Sequence, residues 1–268
     1  MGEFLPLLRS RNMTKAAHSF SRVELLLGEE GFARLQASFV VVAGMGSVGS
    51  FAVESLARTG VGHLRLVDFD VVNRSNINRQ LYALEATIGR KKVEIARERV
   101  MQINPASHVE ALELFIDDTN VSRVMANKPA VVIDAIDSVN PKATLLAAAV
   151  EAGIPVVSAM GAATRTDPSC IHVADIHKTH GCPLARMIRK RLGKRGIKHG
   201  IRCIYSTEKT SANHRLDADD PGTDSERTVD RGRKRDVLGS ICSIPGIFGL
   251  IAAREAVFQI LKGDQPCS

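Results

Sequence analysis

The sequence predicts an α/β fold: a mostly parallel sheet with helices on both faces. Three observations carry that prediction. Apolar runs of strand length alternate with helix-like stretches through the first 160 residues. Those runs are continuously apolar, as strands covered on both faces must be. The first of them also ends in "GMGSVGS" ahead of a helical pattern, the junction of a strand–turn–helix unit. With 268 residues and 44% hydrophobic content, the chain can bury a large core.

Residues 1–37 read as an N-terminal segment, helical from 20 to 37 with a break near Gly28 and Glu29. The core spans 38–165. Its strands are "SFVVVAG", "HLRLVDFD", "HVEALELF", "AVVIDAID" and "PVVSAM", and its helices fall at about 47–59, 88–102, 118–127 and 141–152. From 166 to 268 an extension continues the sheet. It holds the strands "CIHVADI" and "IRCIYSTE", a basic helix from Pro183 between them, and a last helix over about 246–262. Residues 209–236 are almost devoid of apolar side chains and cannot join a core, so a mobile surface loop is expected there. The apolar run 237–253 only reaches the lower length limit of a membrane span and contains Pro245. It is expected to be a core helix, and no membrane association is expected.

Lys and Arg number 36 against 29 Asp and Glu, a net charge of +7. That balance favours a polyanionic partner and also fits an ordinary basic enzyme. Five cysteines with no CxxC pair argue against a disulfide framework and a cysteine-rich zinc site. A reducing cytoplasm is the expected location, and the first residues lack an apolar export signal. Cys242 is read as a small buried hydrophobe. His172, His177 and His180 lack regular ligand spacing and are read as surface or turn histidines.

The glycine motif points to a phosphate. Gly44 permits a sharp turn, Gly46 leaves room for phosphate against the backbone, and Gly49 lets the next helix pack close to the sheet. A helix starting near Ser47 would aim its free N–H groups at the anion. Asp68 ends the second strand, where a carboxylate can accept ribose hydroxyls. Asp70 is open to the same role or to capping a turn. To this point NAD and ATP fit equally.

The segment "NRSNINRQ" sets Asn76, Arg79 and Gln80 beyond the second strand's carboxyl end, and "GRKKVE" puts Lys91 and Lys92 in the first turn of the next helix. Cations at a helix N-terminus oppose its dipole at a cost of about 0.3–1 kcal/mol, so a compensating anion is expected. A triphosphate reacting at phosphorus needs such extra cations, whereas the single pyrophosphate of a nicotinamide cofactor is already served by the glycine turn. Arg79 and one of the lysines suit that task, the other reading being a solvated basic face. In "VVIDAIDS", Asp137 is assigned to Mg²⁺ and Asp134 to a structural role, since Mg²⁺ takes few protein carboxylates.

In this order, "GMGSVGS", "LVDFD", "SNINRQ", "GRKKVE" and "VIDAIDS" resemble the ubiquitin-activating superfamily of ATP-dependent adenylating proteins. The resemblance implies a Rossmann-like adenylation domain with Gly44, Gly46, Gly49, Asp68, Asp70, Asn76, Arg79 and Lys92 around ATP, and Asp137 with Mg²⁺ assisting pyrophosphate departure. It further implies a homodimer in which Arg22 reaches the neighbouring protomer's site. Arg22, Arg79, Lys92 and Asp137 are thus the candidate catalytic residues.

Branches that activate sulfur-carrier or ubiquitin-like proteins carry zinc-binding CxxC pairs, which are missing here. "RTGVGHLRLVDFDVV", "NINRQLYAL", "VIDAIDSVNPKA", "CPLARMIRKRLGKRG" and "YSTEK" instead resemble the tRNA threonylcarbamoyladenosine dehydratase family over about residues 20–262. That resemblance implies adenylation of the modification's carboxylate followed by cyclisation with loss of AMP. Proximity of the two reacting groups in one substrate supplies much of the advantage. It also implies a monovalent cation (Na⁺ or K⁺) and a sulfur-transfer protein partner.

The residues agree on RNA. Arg186, Arg189, Lys190, Arg191, Lys194, Arg195 and Lys198 crowd one helical stretch, and Arg231, Arg233, Lys234 and Arg235 follow in the polar segment. Such density can neutralise several phosphates, the other reading being a plain solvated face. The alternatives are adenylation of a small carrier protein's C-terminus, an NAD-dependent oxidoreductase, and a non-catalytic tRNA-binding or sulfur-relay scaffold.

Overall fold

A computed structural model describes residues 18–209 and 238–262. The helix α1 (Ser21–Ala37) leads into β1 (Phe39–Ala43), and Gly28 interrupts it at φ 77° and ψ 163°, where the sequence break falls. Then follow α2 (Gly49–Thr59), β2 (His63–Asp68), α3 (Lys92–Ile103), β3 (His108–Glu113), α4 (Val121–Met125), β4 (Val131–Asp134), α5 (Val139–Glu151) and β5 (Val156–Ala159). The extension supplies β6 (Ile171–Asp175), α6 (Pro183–Gly193), β7 (Arg202–Ser206) and α7 (Ser243–Lys262).

Seven strands form one sheet in the order β3-β2-β1-β4-β5-β7-β6. All pairs are parallel except β6 with β7, so the C-terminal strands do extend the sheet. Alternate residues of each central strand enter opposite cores. Val40 and Val42 join one cluster with α2, α3 and α7, while Val41 and Ala43 join the other with α5 and α6. Both faces being covered, the central strands read as unbroken apolar runs.

The apolar run near the C-terminus becomes α7. It is long and apolar enough to cross a membrane, yet Phe248, Ala252 and Ala256 are fully buried in the core it shares with α2. The helix starts at Ser243, ahead of the expected 246, because Pro245 in its first turn needs no hydrogen-bond acceptor. The helix expected over 118–127 shrinks to α4. Asn127 and Lys128 adopt φ of 67° and 45° there and turn the chain into β4. The helix placed at 88–102 begins only at Lys92, after a separate short 3₁₀ turn at Glu85–Thr87. The polar segment 209–236 lies outside the described residues except for Lys209.

Candidate active site

Parallel pairing of β2, β1 and β4 brings the loops after these strands to one edge of the sheet, where α/β folds bind ligands. Gly44 follows β1 with φ +92°, and a Cβ there would lie 2.7 Å from the carbonyl oxygen of Ala135, in the loop after β4. Gly49 opens α2 against the turn itself, since its Cβ would fall 1.7 Å from Gly44 O. Gly46 differs: the nearest atom to a Cβ at that position is Gln80 Nε2, 3.8 Å away. Packing within the protein demands glycine at 44 and 49 and leaves space at 46. The helix α2 begins at Gly49 rather than near Ser47, and its N-cap, Val48, offers no side-chain acceptor to the first N–H groups.

Asp68 is buried and accepts hydrogen bonds from the backbone N–H of Met45 at 2.5 Å and of Asp70 at 2.8 Å. It therefore ties the glycine turn to the end of β2. Burial pushes its carboxyl above the ordinary range, against the opposing pull of the Lys92 cation. Each oxygen keeps one lone pair for a further donor.

The two lysines part company. Lys92 is buried and holds Asp70 at 3.0 Å, beside Asp68. Lys91 turns outward to Glu113 at 2.6 Å, and that hydrogen bond raises its pKa. Asn76 is buried, and its Oδ1 accepts the Asn73 N–H at 3.1 Å, closing the 3₁₀ turn Arg74–Asn76. Arg79 is half-exposed and folds back onto its own turn, donating to Ser75 O at 2.8 Å and to Asn78 Oδ1 at 2.9 Å. This turn is fixed to α2, because Ser50 Oγ accepts Leu81 N–H and Tyr82 donates to Ser50 O. Gln80, named in the polar cluster but absent from the candidate set, lies over Gly46. The signal was its place directly after Arg79.

Beyond β4, Asp134 is sealed. Lys142 Nζ is 2.6 Å away, Ser158 Oγ donates at 2.5 Å and Ile136 N–H at 3.1 Å. Lys142 also donates to Ile136 O and Ala159 O. Breaking such a buried pair by removing one partner costs about 3–5 kcal/mol, so Asp134 holds the loop as half of an ion pair rather than as a cap of α5, whose N-cap is Ser138. Asp137 is exposed on the same loop, near the Ala135 carbonyl that faces Gly44, and accepts Ser138 Oγ–H at 3.3 Å.

Arg22 is exposed on the first turn of α1. Cys242 is exposed just before α7, which corrects its reading as a buried hydrophobe. The segment ahead of a helix start here lies on the surface, although the run is apolar. His172, His177 and His180 are surface residues as expected.

Comparison with known proteins gives the family of the chain. The ThiF family model matches residues 20–267. The tRNA threonylcarbamoyladenosine dehydratase of Bacillus subtilis is 40% identical over 246 residues, covering 91% of this chain and 95% of that protein. The Escherichia coli protein of the same name is 41% identical over 197 residues, covering 70% and 73%. The crystal structure of the E. coli enzyme in complex with ATP superposes with a TM-score of 0.80 at 34% identity, covering 91% of this chain and 94% of that one. On the match across nearly all of its length, the chain belongs to the ThiF family.

Proposed function

We propose that the protein catalyses the ATP-dependent dehydration of threonylcarbamoyladenosine in tRNA. The observation that carries this reading is the crevice itself. A glycine turn leaves room at Gly46, Gln80 lies above it, and the buried Lys92 stands beside Asp68 and Asp70. Relatives of that name align over almost the whole chain, and one of them holds ATP in the crystal.

In this reading the phosphates of ATP lie along the glycine turn at the start of α2, whose uncapped N–H groups favour an anion. Asp68 accepts a ribose hydroxyl while Asp70 and Asn76 border the nucleotide. The threonylcarbamoyl carboxylate attacks the α-phosphorus, the bond to the pyrophosphate oxygen breaks, and Arg79 and Lys92 stabilise the departing charge. Lys92 exchanges its Asp70 contact for a phosphate oxygen. The ureido group then closes on the activated carbonyl and AMP leaves. Asp137 fits Mg²⁺ as an exposed carboxylate on the loop after β4, and the ion would neutralise phosphate charge.

Two partners complete the reading. A second copy would supply Arg22, and Leu25 and Leu26, 80% and 82% exposed beside it on α1, suit burial against that copy. The tRNA would meet α6 and the turn after it, where Arg186, Lys190, Arg191, Lys194 and Arg195 are all exposed.

The test is substrate-dependent AMP release. Threonylcarbamoylated tRNA should stimulate it and lose one water, while unmodified tRNA and a carrier protein with a C-terminal glycine should do nothing. Release driven by the carrier protein alone would overturn the proposal in favour of carrier adenylation.

A further inference from the structure

The amino-terminal end of the sheet, opposite the crevice, carries a cluster that the nucleotide chemistry does not use. His63 opens β2, His108 opens β3, and the parallel register pairs them directly. Glu110 follows two residues later and leaves the same face as His108. One donor atom from each of His63, His108 and Glu110 lies within 4.8 Å of the other two. His63 Nε2 and Glu110 Oε1 are 2.6 Å apart, and the two imidazoles meet edge to face with 4.5 Å between centroids.

The neighbours hold this group in orientation. His63 stacks on Phe39 at 4.1 Å with 18° between the planes. The Glu110 carboxylate is gripped by Arg65 through Nε at 3.0 Å and Nη2 at 2.9 Å. Arg65 is itself buried and anchored on the carbonyls of Val124 and Ala126 at the end of α4. An ionised carboxylate offers about four lone-pair sites, so Glu110 can serve Arg65 and another partner together. His108 is exposed while His63 and Glu110 are half-buried, which gives the cluster access to solvent.

We propose that His63, His108 and Glu110 bind one divalent transition metal ion of the zinc class. Two imidazoles and a carboxylate with a water in the fourth position form a known donor set for such an ion, at bond lengths of about 2.0–2.2 Å. Tetrahedral geometry at that length needs donors roughly 3.3 Å apart. The hydrogen-bonded His63–Glu110 pair is already closer, and the exposed His108 closes by side-chain rotation. The ion takes the place of the proton shared between His63 and Glu110. Arg65 acts as the outer partner that orients the carboxylate, while its charge opposes the ion and makes binding weaker than at a thiolate site. The bound ion fastens the edge strand β3 to β2.

The test uses the full-length, tag-free, metal-stripped protein, titrated with Co²⁺ by visible absorption and with Zn²⁺ by thermal unfolding. One equivalent of Co²⁺ should bind with a visible band that Zn²⁺ abolishes, and Zn²⁺ should raise Tm, as a ligand of the folded state does. His108→Ala, at an exposed position, should keep the metal-free circular dichroism and Tm yet lose about tenfold or more in affinity. His177→Ala, at an exposed histidine elsewhere, should bind as the unaltered protein does. Absence of the Co²⁺ band, or undiminished affinity in His108→Ala, would overturn the proposal. The cluster sits at the other end of the sheet from the crevice, so neither result depends on AMP release.

Discussion

Gly44 and Gly46 are both glycine, for different physical reasons, and substitution separates them. Gly44→Ala would force a Cβ onto φ +92° and to within 2.7 Å of Ala135 O, at a cost of about 1–3 kcal/mol. Gly46→Ala meets no protein atom nearer than 3.8 Å. It should leave Tm nearly unchanged and raise KM for ATP, whereas Gly44→Ala should lower Tm; thermal unfolding and ATP titration check both. An unaltered ATP KM in Gly46→Ala would remove the phosphate from that turn. Arg79→Ala should cost about 10²–10³ in kcat with little change in Tm, because the side chain is half-exposed and it donates to Ser75 O and Asn78 Oδ1 of its own turn. At this scale the sequence identified residue types but not their directions. Nothing local distinguishes Lys91 from Lys92, and only the nearness of Glu113 on β3 and of Asp70 after β2 sends them to different partners.

Among elements, the placement of α2 matters most, for it carries the glycine turn. Its Glu54 is bound by Arg99 of α3, through Nη2 at 2.9 Å and Nε at 3.0 Å, and by Arg58 one turn along. Burial raises the Glu54 carboxyl pKa, but the Arg99 and Arg58 hydrogen bonds lower it more, and the net shift is downward. A depressed carboxylate stabilises the fold above its unfolded pKa, and that contribution disappears as pH falls through the folded one. Arg99→Ala brings the folded pKa back up, so the acid-unfolding midpoint should move to higher pH. Circular dichroism against pH measures it, and an unmoved midpoint would show that the pair contributes nothing. Strand and helix order were legible because each element's periodicity is local. The shortness of α4 was not, since Arg65 of β2 captures the carbonyls of Arg123, Val124 and Ala126 from across the sheet face.

At the scale of the whole molecule, the proposed dimer and tRNA surface make separable demands. Leu25→Asp with Leu26→Asp puts charge where apolar side chains are 80% and 82% exposed. This pair should give a monomer in sedimentation velocity and abolish turnover. Arg22→Ala should keep the dimer and lower turnover. A dimer that survives both aspartates would refute that surface. Replacing Lys190, Arg191 and Lys194 by Ala should weaken tRNA binding and flatten its salt dependence by about 0.7–0.9 in log–log slope per lost phosphate contact. Binding measured across a salt series reports it, and an unchanged slope would place the RNA elsewhere.

The amino-acid sequence by itself determined the α/β alternation, the glycine turn and the residue types around it, because side-chain periodicity and turn chemistry act between near neighbours. The folded chain alone decided that Gln80 overlies Gly46, that Lys142 seals Asp134, that Cys242 is exposed, and that His63, His108 and Glu110 converge. Those outcomes depend on strand register and helix packing between distant segments, and no local pattern encodes them.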